Sequence, residues 1–100
     1  DLVGRTLGVA PQLLPCGPNP FSSQTFLRFQ VPGRQQVALR VFDVAGRRVR
    51  TLVDGVVEPG IHEVAWDGYS NLRSPLPAGV YFYRLDTQGY TKARKVILLP

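Results

Sequence analysis

The sequence predicts an all-β sandwich of about seven short antiparallel strands. Three observations predict it. Apolar residues recur with a period of two rather than 3.6, the signature of half-buried strands. Turn signals interrupt these runs every eight to twelve residues or so. Gly and Pro contribute 10 and 9 of the 100 residues, against an average of roughly 12 per hundred together, and they fall between the alternating runs. A chain of 100 residues holds one domain and leaves no room for a second core. Its 44% hydrophobic and 19% charged residues match a folded domain rather than a disordered chain.

The first twenty residues are the least regular. Leu7, Val9, Leu13 and Leu14 are candidates for a first strand, broken by Pro11 and Pro15, which suits an edge position. We divide the chain into 1–17, linker and candidate first strand, and 18–100, the sandwich. Pro18-Asn19-Pro20-Phe21 reads as a rigid kink with Phe21 anchored in the core. Leu27, Phe29 and Val31 then alternate with Arg28 and Gln30 to give a strand. Pro32-Gly33 turns the chain, and Val37, Leu39 and Val41 alternate with Ala38, Arg40 and Phe42 in the next strand. Asp43-Val44-Ala45-Gly46-Arg47 is a hairpin in which Asp43 accepts from backbone N–H groups and Gly46 supplies a positive φ. The return strand runs from about Arg48 to Val53, Asp54-Gly55 reads as a second turn or bulge, and Glu58-Pro59-Gly60 as a third. Ile61 to Trp66 is a strand. A loop from Asp67 to Ala78 follows, holding Gly68, Pro75 and Pro77. Gly79 opens the aromatic strand Val80 to Asp86, Gln88-Gly89 turns the chain, and Thr91 to Leu99 closes it.

Charge and composition narrow the function. Twelve Lys+Arg against seven Asp+Glu give +5, and ten of the twelve are Arg. They are scattered, with the tightest group at Arg47, Arg48 and Arg50. A nucleic-acid binder gathers its cations on one face beside stacking aromatics, so nucleic acid is not an expected partner. No run approaches about 18 apolar residues, so no membrane-spanning helix is predicted. Catalytic parts are missing. There is no Gly-x-Ser-x-Gly elbow, no paired-His metal motif and no phosphate-cradling Gly loop. Lone Cys16 and lone His62 carry no local nucleophile signature. We expect no enzymatic activity and no cofactor.

Three further groups bear on binding. Asp67, Ser70 and Asn71 could offer oxygens to Ca²⁺, but that ion takes about six to eight and the loop holds few carboxylates. Asp67 and Asn71 are therefore weak metal candidates, and capping of turn amides is the preferred reading. Trp66, Tyr81, Phe82 and Tyr83 could form a sugar-stacking platform, although alternation predicts that Tyr81 and Tyr83 oppose Phe82 and that one set is buried. His62 shares a strand face with Val64 and Trp66, where a structural role is expected.

Four segments occur in order and at spacings that resemble one family: Pro18-Asn19-Pro20-Phe21, Val41 to Arg47, Trp66-Asp67-Gly68, and Ala78 to Leu85. The likeness, spanning about Pro18 to Leu99, is to the immunoglobulin-like domain named after the flagellar hook-capping protein, and to the related C-terminal sorting domains of the type IX secretion system. The resemblance implies an immunoglobulin-like or fibronectin III-like sandwich at the C-terminus of a larger secreted or surface protein. It marks Pro18, Asn19, Pro20, Phe21, Asp43, Gly46, Trp66, Asp67, Gly68, Gly79 and Tyr81 as its structural motif. In the sorting branch an outer-membrane translocon reads the domain. Lys92, Arg94 and Lys95 ahead of Val96-Ile97-Leu98-Leu99 fit the family's basic, apolar last strand, and these residues are the sorting candidates. Recognition through an exposed terminal strand by β-augmentation is one expected mechanism. Met is absent, position 1 included, so we expect a piece or processed form of a larger protein, secreted or on a bacterial cell surface. Its expected partners are outer-membrane secretion machinery or the parent's other domains. The competing expectations are a structural spacer, a carbohydrate-binding accessory of a secreted hydrolase with polysaccharide as partner, or a flagellar-type assembly module.

Overall fold

Period-two alternation resolves into two packed sheets. The computed structural model describes residues 10–100, so Leu7 and Val9 lie outside the described residues. The regular elements there are seven strands: β1 Gln12–Gly17, β2 Thr25–Val31, β3 Gln35–Phe42, β4 Arg48–Val57, β5 Gly60–Trp66, β6 Gly79–Thr87 and β7 Tyr90–Leu98. One sheet has the order β1-β2-β5 and the other β4-β3-β6-β7, with every strand pairing antiparallel. Leu27, Phe29 and Val31 of the first sheet face Leu39, Val41, Tyr83 and Leu85 of the second across one core. Each such side chain stabilises the fold by about 1.5–3 kcal/mol on burial. The core closes with Leu13, Phe21, Trp66, Val96 and Leu98.

The edge strands depart from the simple pattern, for reasons of position. Pro15 sits within β1, which pairs only with β2, so a missing N–H is tolerated. The pairing shifts register between Leu14 and Gly17. Asp54-Gly55 is not a turn. β4 continues through it, with Asp54 opposite Ala38 and Gly55 opposite Val37. The Gln36 side-chain amide donates to Asp54 Oδ1 at 3.2 Å and helps to hold the polar pair in the sheet. The register shifts nearer the hairpin, where β4 has residues beyond those paired with Leu39, Arg40, Val41 and Phe42. After β1 the chain leaves the three-stranded sheet, and Phe21 forms a parallel bridge with Leu98 of the other sheet.

Candidate functional site

The four motif segments meet at one end of the sandwich. Trp66 is fully buried, with Phe21 at 5.3 Å on one side and Tyr81 edge-on at 5.7 Å on the other. Its Nε1 donates to the Tyr69 carbonyl at 3.2 Å, and the Tyr81 hydroxyl donates to the Pro77 carbonyl at 2.6 Å. Gly68 has φ +79°, and a Cβ there would stand 3.2 Å from Leu98 Cδ1. Gly79 begins β6 opposite Leu98. In the hairpin, Asp43 Oδ1 accepts from the Ala45 and Arg47 amides at 3.0 and 2.9 Å, and Gly46 takes φ +83°. The Arg47 amide, ahead of the Arg47 guanidinium, holds the Asp43 carboxyl below its usual range. Burial, with a smaller push from the Asp43 charge, raises the Tyr81 hydroxyl.

The loop between β5 and β6 uses its oxygens on the protein itself. Asp67 Oδ1 accepts from the Tyr69 amide at 3.0 Å and Arg50 Nη1 at 3.2 Å, while Arg73 Nη2 lies 3.3 Å from Oδ2. Burial pushes this carboxyl up, but the Tyr69 amide and the two guanidinium groups outweigh it and the pKa falls. Ser70 Oγ accepts from the Leu72 and Ser74 amides. Asn71 donates its backbone N–H to the Val49 carbonyl at 3.0 Å and accepts from the Thr51 amide through Oδ1 at 3.0 Å. The side-chain oxygens of Asp67, Ser70 and Asn71 thus cap turns, pair with arginines and cover part of the β4 edge.

The aromatic platform is not assembled. Trp66, Tyr81 and Tyr83 are buried, and of the four only Phe82 is exposed. It pairs with Phe42 across the sheet, and the Arg84 guanidinium carbon stands 4.4 Å from the Phe42 ring centroid. His62 stacks on Phe29 at 5.1 Å, with Nε2 2.6 Å from the Glu58 carbonyl. Cys16 on β1 and His62 on β5 are separated by β2.

The last strand divides into two stretches. Val96 and Leu98 lie in the core, Ile97 is half-buried, and Lys92, Lys95 and Leu99 are exposed. Arg94 Nε donates to the Leu13 carbonyl at 2.8 Å, the Leu13 amide donates to the Tyr90 hydroxyl at 3.1 Å, and the Tyr83 hydroxyl donates to the Leu14 carbonyl at 2.8 Å. Burial raises the Tyr83 hydroxyl well above the ordinary phenol range. These side chains of β6 and β7 tie down the β1 backbone across the sandwich.

Pro18-Asn19-Pro20-Phe21 covers the far stretch of β7. The Asn19 side chain copies a strand: Nδ2 donates to the Lys95 carbonyl at 3.3 Å, and Oδ1 accepts from the Ile97 amide at 2.9 Å. Phe21 continues the row, its N–H donating to the Ile97 carbonyl at 3.0 Å and its carbonyl accepting from the Leu99 amide at 2.7 Å. Of the terminal strand expected to be exposed, this stretch is covered, because the outward backbone groups of Ile97 and the Leu99 amide are already bonded. Sequence reasoning missed this role of Asn19. The available signal was its place between two prolines, which have no N–H to donate.

The charge is distributed unevenly. Seven arginines have a carboxylate at 2.8–3.6 Å. Among the described residues, no ion pair forms at Arg48, Lys92, Arg94 or Lys95, and three of these lie on β7. Beside them a cleft of about 430 Å³ opens between the end of β1, Asn19 and β7.

Two antiparallel sheets, with a first strand that hands over to the far sheet, define an immunoglobulin-like β-sandwich module. Residues 23–89 match the family model for the FlgD Ig-like domain, and the chain belongs to that family. Comparison with curated protein sequences gives no match. Among solved structures, a part of dimeric latent PorU from Porphyromonas gingivalis superposes with a TM-score of 0.73 at 21% identity, covering 93% of this chain and 10% of that one. PorZ of the same organism, described as an essential bacterial surface component of the type IX secretion system, gives a TM-score of 0.61 at 15% identity over 88% of this chain and 11% of that one. At these identities the likeness is one of fold, and the chain spans about a tenth of either protein.

Proposed function

We propose that this domain is a non-catalytic C-terminal sorting or surface-attachment module of a larger secreted bacterial protein, handled by outer-membrane secretion machinery. The observation that carries the reading is the shared fold with a domain-sized part of PorU and of PorZ, joined to membership of the FlgD Ig-like family. The site geometry is consistent with it, because the motif residues are committed to packing and capping. The test is a fusion of the domain to a periplasmic reporter in a host with a type IX system. Surface display or release of the reporter is expected, and a reporter that remains periplasmic refutes the reading. The second reading is a structural spacer, favoured by the closed core at the motif end. Deleting the domain from its parent would then leave export intact and lower the parent's stability.

A further inference from the structure

We infer that the open stretch of β7, Thr91 to Lys95, is a docking edge for an acidic, extended segment of a partner protein, added as a further strand. The inference rests on the sorting reading only for the assembly in which that partner resides. Three independent features coincide on this stretch. The first is backbone. Both Ile97 backbone groups point away from β6, since Asn19 and Phe21 bind them. β6 and β7 pair without a register shift, so alternation turns the N–H and C=O of Ala93 and Thr91, and the N–H of Lys95, to the same outer edge. Among the described residues, nothing bonds to these groups. The second is space. The cleft beside them, lined by Cys16, Asn19, Tyr83, Lys92, Arg94 and Lys95, has a volume of about 430 Å³. The third is charge. The cations there have no ion-pair partner among the described residues, whereas seven arginines elsewhere do.

Charge decides the occupant. Lysine on an edge strand guards against pairing with a second copy. Two β7 edges side by side would set Lys92, Arg94 and Lys95 against their own kind, and like charges directly opposite destabilise a sheet. An acidic strand meets the same cations with opposite sign, gaining main-chain hydrogen bonds for affinity and charge for selection. The open stretch ends where Asn19 takes the Lys95 carbonyl. That limits the added strand to about five residues, roughly 17 Å.

The probe is a fluorescein-labelled Thr-Glu-Val-Glu-Val-Glu-Thr peptide titrated with the domain by fluorescence anisotropy, alongside the same peptide with Lys in place of Glu. Binding of the acidic peptide alone is expected. It should weaken at least about tenfold when salt is raised until the Debye length falls to about 3 Å. Lys92→Glu with Lys95→Glu should weaken it at least about tenfold. Ala93→Pro should abolish it, since it removes an outward N–H and leaves the β6 ladder intact. Thermal melts of each variant check folding, and amide shifts in the wild-type domain should cluster at Thr91, Ala93 and Lys95. Absence of binding at low salt overturns the inference, as does equal binding of the lysine peptide. Loss on charge reversal with full retention in a folded Ala93→Pro variant also overturns it, because a mere polyanion patch behaves that way. The reporter fusion is scored in parallel. Export without peptide binding refutes the docking edge alone, and peptide binding without export refutes the sorting reading alone.

Discussion

Asn19→Ala tests whether the Pro-Asn-Pro-Phe segment is a cover for the last strand. The change deletes two hydrogen bonds, to the Lys95 carbonyl and from the Ile97 amide, and leaves the backbone bridge at Phe21 in place. A protein hydrogen bond contributes about 0.5–1.5 kcal/mol net. Both bonds are solvent-exposed, so water re-hydrates the released groups and the loss stays at about 1–2 kcal/mol. In a domain of this size 1 kcal/mol moves the melting temperature by about 4–8 °C, which gives an expected fall of roughly 5–15 °C by calorimetry. Hydrogen exchange locates the effect. The Ile97 amide should lose protection, while the Leu99 amide, bonded to the Phe21 carbonyl, should keep it. The same change lengthens the open edge by the Lys95 carbonyl and the Ile97 amide, so binding of the acidic peptide should hold or tighten as stability falls. A melting temperature within about 2 °C of wild type, with Ile97 still protected, would refute the reasoning.

Three further outcomes follow from the same geometry. Asp43 and Asp67 have pKa values below the ordinary value, so the unfolded chain binds protons first on acidification. Their stabilisation is complete above about pH 4 and is lost as pH falls through the lower folded values. Asp43→Asn with Asp67→Asn should flatten an acid melting series. At the other end, Tyr81 and Tyr83 hold their protons above the ordinary range. The unfolded chain therefore ionises first and stability should drop as pH passes about 10, less so in Tyr83→Phe by circular dichroism. Gly68→Ala places a Cβ at φ +79° and 3.2 Å from Leu98, so it should destabilise by about 1–3 kcal/mol in urea. Gly33→Ala meets nothing within 4 Å and should stay within about 0.5 kcal/mol of wild type.

Much of the fold was legible because the strands carry a period that only one arrangement satisfies. Leu27, Phe29 and Val31 must share a face, and a register slip of one residue would turn all three to water. The hairpin was legible for a similar reason, since Asp43 and Gly46 name their roles by chemistry. Asp54-Gly55 misled because the pair signals a turn locally, whereas pairing with Val37 and Ala38 overrides a local preference. The site was harder to read. Its key contacts join residues 76 and 78 positions apart, Asn19 with Lys95 and with Ile97, and no local pattern encodes which side chain will lie along which edge. The aromatic run told its burial parity but not its sign. Alternation separates Phe82 from Tyr81 and Tyr83, and only the packed sheets show that the tyrosines go inward.

The residues that carry the resemblance and the cations of the proposed docking edge are different sets. Phe21, Trp66, Gly68 and Tyr81 carry the resemblance, and they pack on one another and on Leu98 at one end of the sandwich. Asp43 and Gly46 shape the hairpin beside them. Residues committed in this way transmit a fold, because replacing any of them disturbs a core or a turn. They leave little surface with which to select a partner. On the proposed docking edge, discrimination between partners would rest on side chains the fold does not need, and on β7 these are Lys92 and Lys95, exposed and without ion-pair partners among the described residues. Arg94 stands between the two sets, bound through Nε to the β1 backbone while its guanidinium borders the cleft. A charge reversal at Lys92 and Lys95 should therefore alter recognition with little effect on melting, and a substitution at Arg94 should disturb both.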